Sequence, residues 1–241
     1  MTTKTRNMTV SGLRVSVVRK AIRNLHLGVY PPEGRIRVAA PIAISDAAVR
    51  VAVIGKLPWI KRQRASFESQ ARESEREMVA GESHYYRGRR YRLQVVESAE
   101  SPRVELNGRR LVLHVQPGSE APGRRLILDR WYRDRLREAV PHLVQRWDGK
   151  LGVTVNDWRL KRMKTKWGSC NSKARRIWIN TELAKKPLPC LEYVVVHELA
   201  HIRERTHSER FIALMDQALP AWRSRRAELN RAPLGHASWG C

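Results

Sequence analysis

The first forty residues alternate between apolar and polar positions. Val10, Val15 and Val17 fall on related faces of the stretch 8–18, and Leu25, Leu27 and Val29 alternate with polar or small residues. Pro31-Pro32-Glu33-Gly34 reads as a turn, and Ile36, Val38 and Ala40 alternate after it. A period of two with breaker residues between runs predicts three short antiparallel strands. The period then changes. Ser45 is placed to cap a helix starting at Asp46, which runs through Val49, Val53 and Leu57 to Trp59-Ile60 and bends or breaks at Pro58. Residues 61–79 are charged with little apolar face, so they read as a solvated helix or a linker. Ala80-Gly81 is the expected internal boundary, giving an N-terminal subdomain at 1–80 and a second domain at 81–241.

Alternation resumes in two candidate hairpins. Tyr85-Tyr86 and Tyr91–Leu93 flank Arg87–Arg90, and Val104–Leu106 and Leu111–Leu113 flank Asn107-Gly108. Pro117 to Gly123 reads as a loop. Residues 124–148 carry Leu126, Leu128, Trp131, Leu136, Val140, Leu143, Val144 and Trp147 at helical spacing, predicting one long helix bent near Pro141. Residues 153–168 read as strands, Asn171–Arg176 as a turn, and Ile177-Trp178-Ile179 as the returning strand. A further helix follows Pro189, and another runs from Trp222 to Asn230, packed by Trp222 and Leu229; residues 232–241 read as a frayed end. The fold class expected from this order is α+β: a β-rich N-terminal subdomain, then a small antiparallel or mixed sheet with helices.

Chemistry concentrates in the helix after Pro189. It contains His197-Glu198-Leu199-Ala200-His201. Histidines four apart stack on one helical face, one turn above the other, and can reach one metal ion. Glu198 falls in the apolar stripe of Leu191, Val195 and Ile202. A carboxylate there needs a partner, which a metal-bound water or a histidine would supply. This is the zinc-hydrolase pattern, with two imidazole ligands and a carboxylate base. A third ligand is required. His207 follows His201 at the interval seen in H-E-x-x-H-x-x-G-x-x-H proteases, but Glu204 stands at the glycine position, so the chain must reverse at Arg205 or Thr206. Ser208 is placed to cap the next helix and leave the His207 ring turned back. Glu209 is the fallback ligand. Lys164, Lys166, Asn171 and Tyr193 are candidate oxyanion donors. Ser169 and Cys170 read as packing residues, because a metal already provides the nucleophile.

Several of these runs resemble one family. Lys166-Trp167-Gly168-Ser169-Cys170, Ile177-Trp178-Ile179-Asn180, Tyr193 to His201, Thr206-His207-Ser208 and Phe211 are similar to the YgjP-like zinc metallopeptidases, small zincins distantly related to SprT-type and WLM-type proteases. The resemblance is strong over residues 158–222 and weaker toward the N-terminus. It implies a zincin-like fold, a bound Zn2+, His197, His201 and His207 as ligands and Glu198 as base. The expected reaction is peptide hydrolysis. Two alternatives stay open: hydrolysis of a nucleotide or phosphoester, and a basic nucleic-acid-associated module with a structural zinc.

Charge and cysteines adjust this picture. The net charge is +24, distributed as +9, +6 and +9 over residues 1–80, 81–160 and 161–241. The excess is a general basic surface rather than a tail, compatible with anionic partners such as nucleic acid or a DNA-processing complex. Three cysteines, Cys170, Cys190 and Cys241, form neither a metal knuckle nor a disulfide frame, which fits a reducing cytoplasm. No signal-length or membrane-length apolar run occurs, so a membrane partner is not expected.

Overall fold

In the computed structural model, residues 5–30, 34–69, 76–163 and 166–231 are described. They belong to two compact units, one within residues 1–72 and one from residue 73 onward. The first contains β1 (Thr5–Val10), β2 (Leu13–Lys20), β3 (His26–Tyr30), β4 (Arg35–Pro41), α1 (Asp46–Ile54) and α2 (Leu57–Ser69). Its sheet has the order β1-β2-β4-β3.

Three expectations for this unit are corrected. The alternation over 8–18 hides a hairpin rather than one strand. Ser11 and Gly12 take φ of 50° and 76°, the paired left-handed geometry of a tight two-residue turn, and serine is a weak signal for it. The sheet is also not all antiparallel, because β2 and β4 pair in parallel. The helical segment breaks at Gly55-Lys56 instead of at Pro58. Pro58 lies in the first turn of α2, where a missing N–H leaves no bond unmade. Ser45 does cap α1, its hydroxyl accepting from Ala48 N at 3.2 Å. Val10, Val15, Val17, Ile36, Val38, Val49, Val53 and Ile60 form the core of this unit.

The second unit opens with β5 (Ser83–Tyr86), β6 (Arg89–Glu97), β7 (Arg103–Asn107) and β8 (Arg110–Val115). Their order is β5-β6-β8-β7, with β6 and β8 parallel and two antiparallel hairpins at the edges. This repeats the path of the first sheet, and in both units a helix follows the fourth strand. Arg87 and Gly88, with φ of 48° and 78°, turn the first hairpin as Ser11 and Gly12 do. In the second hairpin the turn pair is Gly108-Arg109, since Asn107 still pairs with Arg110; the Asn-Gly signal marked the hairpin but sat one residue early.

Helix α3 (Ala121–Leu151) begins inside the expected loop, with Pro122 in its first turn, and continues through Pro141. It buries Leu128, Tyr132, Leu136, Val140 and Trp147, and ends at Gly152 in the left-handed region at φ 60°. A second sheet follows: β9 (Asp157–Lys161), β10 (Gly168–Asn171) and β11 (Arg176–Asn180), in the order β10-β11-β9. The strand reading of 153–168 is thus too long, because Met163, Lys166 and Trp167 lie outside strands. β9 and β11 are parallel and β10 is an antiparallel edge. A 3-10 turn at Thr181–Lys185 leads to α4 (Leu188–Arg203), α5 (Glu209–Ala218) and α6 (Trp222–Arg231). The architecture is α+β with a mixed sheet beside the histidine-bearing helix. Among the described residues no helix is long and apolar enough to cross a membrane.

Candidate metal centre

Helix α4 is buried on most sides, through Leu191, Val194, Val195, Val196, Leu199 and Ala200, rather than along one stripe. A helix apolar nearly all round is an interior helix. It is therefore a rigid platform for the two histidines that emerge from it. α4 stops at Arg203. Glu204 caps it in extended backbone, φ −120°, and the chain turns across Arg205-Thr206. Ser208 caps α5, its hydroxyl accepting from Phe211 N at 3.3 Å.

These two helix ends bring three histidines together. His197 Nε2 lies 3.2 Å from His201 Nε2 and 3.1 Å from His207 Nε2. His201 Nδ1 sits 2.9 Å from the carbonyl oxygen of Glu204, so Nδ1 carries the proton and donates it there. That tautomer leaves the Nε2 lone pair facing the other two rings. Three imidazole nitrogens crowded this closely repel one another unless a cation lies among them. Zinc–nitrogen bonds of ~2.0–2.1 Å at tetrahedral angles would separate the nitrogens by roughly 3.3–3.4 Å, close to the two separations from His197, with all three ligand atoms within 4.8 Å of one another. The donor set therefore fits a zinc-sized ion. Glu209, at the start of α5, is not part of this cluster.

Phe211 holds the rings in place. It is buried and its ring lies 4.7–5.0 Å from all three imidazoles, stacked on His201 and edge-on to the other two. Burial, reinforced by its two histidine neighbours and Arg226, pushes His197 down to about 3, so this ring is neutral and able to ligate near neutral pH. His197 Nδ1 is buried without a hydrogen-bond partner among the described residues.

Glu198 lies on the same side of α4 and is only 6% exposed. Burial pushes its carboxyl up to about 8, with Lys166 pulling the other way. Gly168, on β10, lies against this carboxyl. The absent side chain of Gly168 makes room for Glu198. Cys170, two residues along, has its thiol pushed up to about 11 by burial and by Glu198, so it is not a thiolate nucleophile. Cys190 is buried and its thiol is pushed up to about 12. Cys241 lies outside the described residues.

The three histidines, Glu198, Gly168 and Cys170 line a cavity of about 750 Å³ between β10, α4, the start of α5 and α6. Of the four candidate oxyanion donors, Lys166 and Tyr193 line it and Asn171 does not; Lys164 lies outside the described residues. Tyr193 stacks on Trp222, ring centroids 6.4 Å apart and planes 11° from parallel. Two residues that sequence reasoning passed over also shape the cavity. Arg226 projects from α6, and its position between Trp222 and Leu229 on one helical face was readable from the spacing. Asn180, quoted above only for its resemblance, is 3% exposed and clamps the segment before β10. Its Nδ2 donates to the carbonyls of Met163 and Lys166 at 2.8 and 2.7 Å, and its Oδ1 accepts from Glu182 N at 3.2 Å.

Comparison with known proteins adds a family to this geometry. Among curated proteins none matches the chain. Among solved structures, the metallopeptidase zymogen of Pyrococcus abyssi abylysin aligns at 20% identity and a TM-score of 0.35, over 39% of this chain and 99% of that one. The metallopeptidase zymogen of Methanocaldococcus jannaschii jannalysin aligns at 18% identity and a TM-score of 0.33, over 37% and 92%. The family model of the YgjP-like metallopeptidase domain matches residues 23–232, nearly the whole chain, and the chain belongs to that family.

Proposed function

We propose that this YgjP-like metallopeptidase is a zinc peptidase in which His197, His201 and His207 hold the ion and Glu198 is the general base. One observation carries the reading: three imidazole nitrogens converge on a point beside a buried carboxyl that has no competing catalytic task. A zinc ion, when bound, supplies Lewis acidity, lowering the pKa of a water molecule toward ~7 and drawing charge from a carbonyl oxygen. The chain's own residues do the rest. Glu198 accepts the proton of the water that attacks the carbonyl carbon. As the C–N bond breaks, the same carboxyl delivers that proton to the leaving amine. Burial keeps Glu198 protonated near neutrality until a cation beside it favours the carboxylate, so the base forms where the metal sits. Tyr193 supports the oxyanion: burial raises its hydroxyl pKa, so it stays a donor. β10 is a sheet edge whose residues line the cavity, so an extended peptide can add alongside it.

The test is elemental analysis of purified protein, with digestion of a denatured protein pool by the wild type and by Glu198→Gln. About one zinc per chain in both, with new peptide termini from the wild type alone, is the expected result. Full zinc with no peptide released by the wild type overturns the peptidase reading.

A further inference from the structure

The cavity wall is unusually one-sided in charge. Lys166, Arg205 and Arg226 line it, and Glu198 is the carboxylate among its described lining residues. On α6 itself, Arg223 pairs with Asp216, and Arg225 with Glu192 at 2.5 Å. Arg226, next in sequence, makes no ion pair among the described residues.

Its place on the helix sharpens the contrast. Trp222, Arg226 and Leu229 recur at helical spacing on one face, and Trp222 and Leu229 are buried against the body of the unit. Arg226, between them, is exposed, so the face is open at its position. Here it opens onto the metal cavity. Arg226 lines that cavity together with Tyr193, His197 and His207. It therefore shares the cleft with the proposed ligands but is itself neither a ligand nor the base. A planar fork of N–H donors suits one kind of group on a peptide, a carboxylate bound through two oxygens.

We propose that Arg226 is the specificity-determining residue of this cleft and binds a substrate carboxylate next to the scissile bond. The inference rests on the peptidase reading above and narrows it to peptides with an acidic side chain, or a free C-terminal carboxylate, near the cleavage point. Lys166 adds to the field without a fork, and Arg205, a second guanidinium of the wall, sits on the turn beside His207 rather than on α6. The charge also raises the local concentration of such peptides at the cleft.

The experiment compares matched synthetic peptides around a mapped cleavage site: Asp or Glu against Asn or Gln, and a free against an amidated C-terminus. Wild type, Arg226→Gln, Arg226→Lys and the surface control Arg133→Gln are assayed, each with zinc content measured. In the wild type and in Arg133→Gln, kcat/KM for one carboxylate form should exceed its neutral partner by about 10-fold or more. The side-chain pair or the terminal pair shows which source is read. Arg226→Gln should bring that ratio close to one with zinc retained, and Arg226→Lys should keep part of it. Peptides cleaved with no carboxylate preference, or with one that Arg226→Gln leaves intact, overturn the inference while the peptidase reading stands. A wild type that cleaves no peptide sinks the peptidase reading instead. In that event, anisotropy of a labelled acidic peptide on Glu198→Gln protein decides the carboxylate site: binding that is lost in the Arg226→Gln double variant keeps it, and unchanged binding removes it.

Discussion

A methyl group on Gly168 would lie 2.5 Å from Oε1 of Glu198 and 2.6 Å from its Cγ. No real contact is that short, so one of the two must move. Gly168 cannot, because its strand is paired to β11 opposite Ile179. Gly168→Ala should therefore push Glu198 out of position while sparing the three histidines. Turnover should fall by about 10²-fold, the scale of losing a well-placed base, with zinc content unchanged. Steady-state kinetics beside metal analysis would check it. Near-normal turnover in a folded, zinc-loaded Gly168→Ala protein would show that Glu198 is not held by this contact.

The ionisation of Glu198 gives a second expectation, for metal-stripped protein. Its carboxyl rises from the ordinary 4.5 to about 8, so the folded state holds a proton that the unfolded chain releases. Stability from this group is complete below ~4.5 and is lost as pH rises through 8. His197 has the opposite sign. It falls from 6.5 to about 3, so its contribution is complete above 6.5 and is lost as pH drops. Between 6.5 and 8 His197 is neutral in both states and Glu198 dominates the slope of these two. Each pH unit there should cost at most ~1.4 kcal/mol. Thermal melts of stripped wild type should fall over this window, and Glu198→Gln should flatten the curve. A flat wild-type curve would mean that the carboxyl is already ionised.

The convergence of the three histidines was legible in the sequence because helical spacing is rigid. Two histidines four apart and a third after a forced reversal leave few arrangements, and Ser208 and Glu204 placed the reversal. The long helix α3 was legible for the same reason, since its apolar spacing persists through Pro141. Parallel pairing was not. β2 with β4, and β6 with β8, join residues whose partnership depends on how two hairpins lie side by side, and no local pattern encodes that. The Ser11-Gly12 turn escaped because its geometry, not its composition, marks it. Arg226 escaped because charge on a helix is ordinarily a solvated face, and only the cavity beside it changes its meaning.

Asn180 should prove a positioning residue. Its amide satisfies the Met163 and Lys166 carbonyls and the Glu182 N–H from a nearly fully buried site. Its own N–H donates to Trp167 O at 2.9 Å, so it fixes the segment that leads into β10 and Gly168. Removing the side chain leaves buried carbonyls unmet, at a cost of about 1–3 kcal/mol each before relaxation. Asn180→Asp should be worse than its similar shape suggests, because a carboxylate would face two carbonyl oxygens without a donor. Denaturant melts should show both variants destabilised, and hydrogen exchange should rise over residues 166–171. Unchanged exchange there would confine Asn180 to stability alone.

The third ligand is the sharpest test of the proposed metal site, because His207 and Glu209 are two residues apart and only one should bind. His207 lies outside any helix, on the turn between Glu204 and Ser208, and its Nε2 reaches within 3.1 Å of His197 Nε2. Glu209 begins α5, one residue past the cap, and its carboxylate suits the positive end of that helix rather than the cluster. His207→Ala should thus remove a first-row ligand and lower zinc affinity by at least about 10²-fold, whereas Glu209→Gln should leave it unchanged. Competition with a chromogenic chelator would measure both. The turn is exposed, so His207→Ala should also retain the secondary structure of the wild type by circular dichroism. The reverse pattern, with zinc lost in Glu209→Gln and held in His207→Ala, would replace the three-histidine site with a two-histidine, one-carboxylate site.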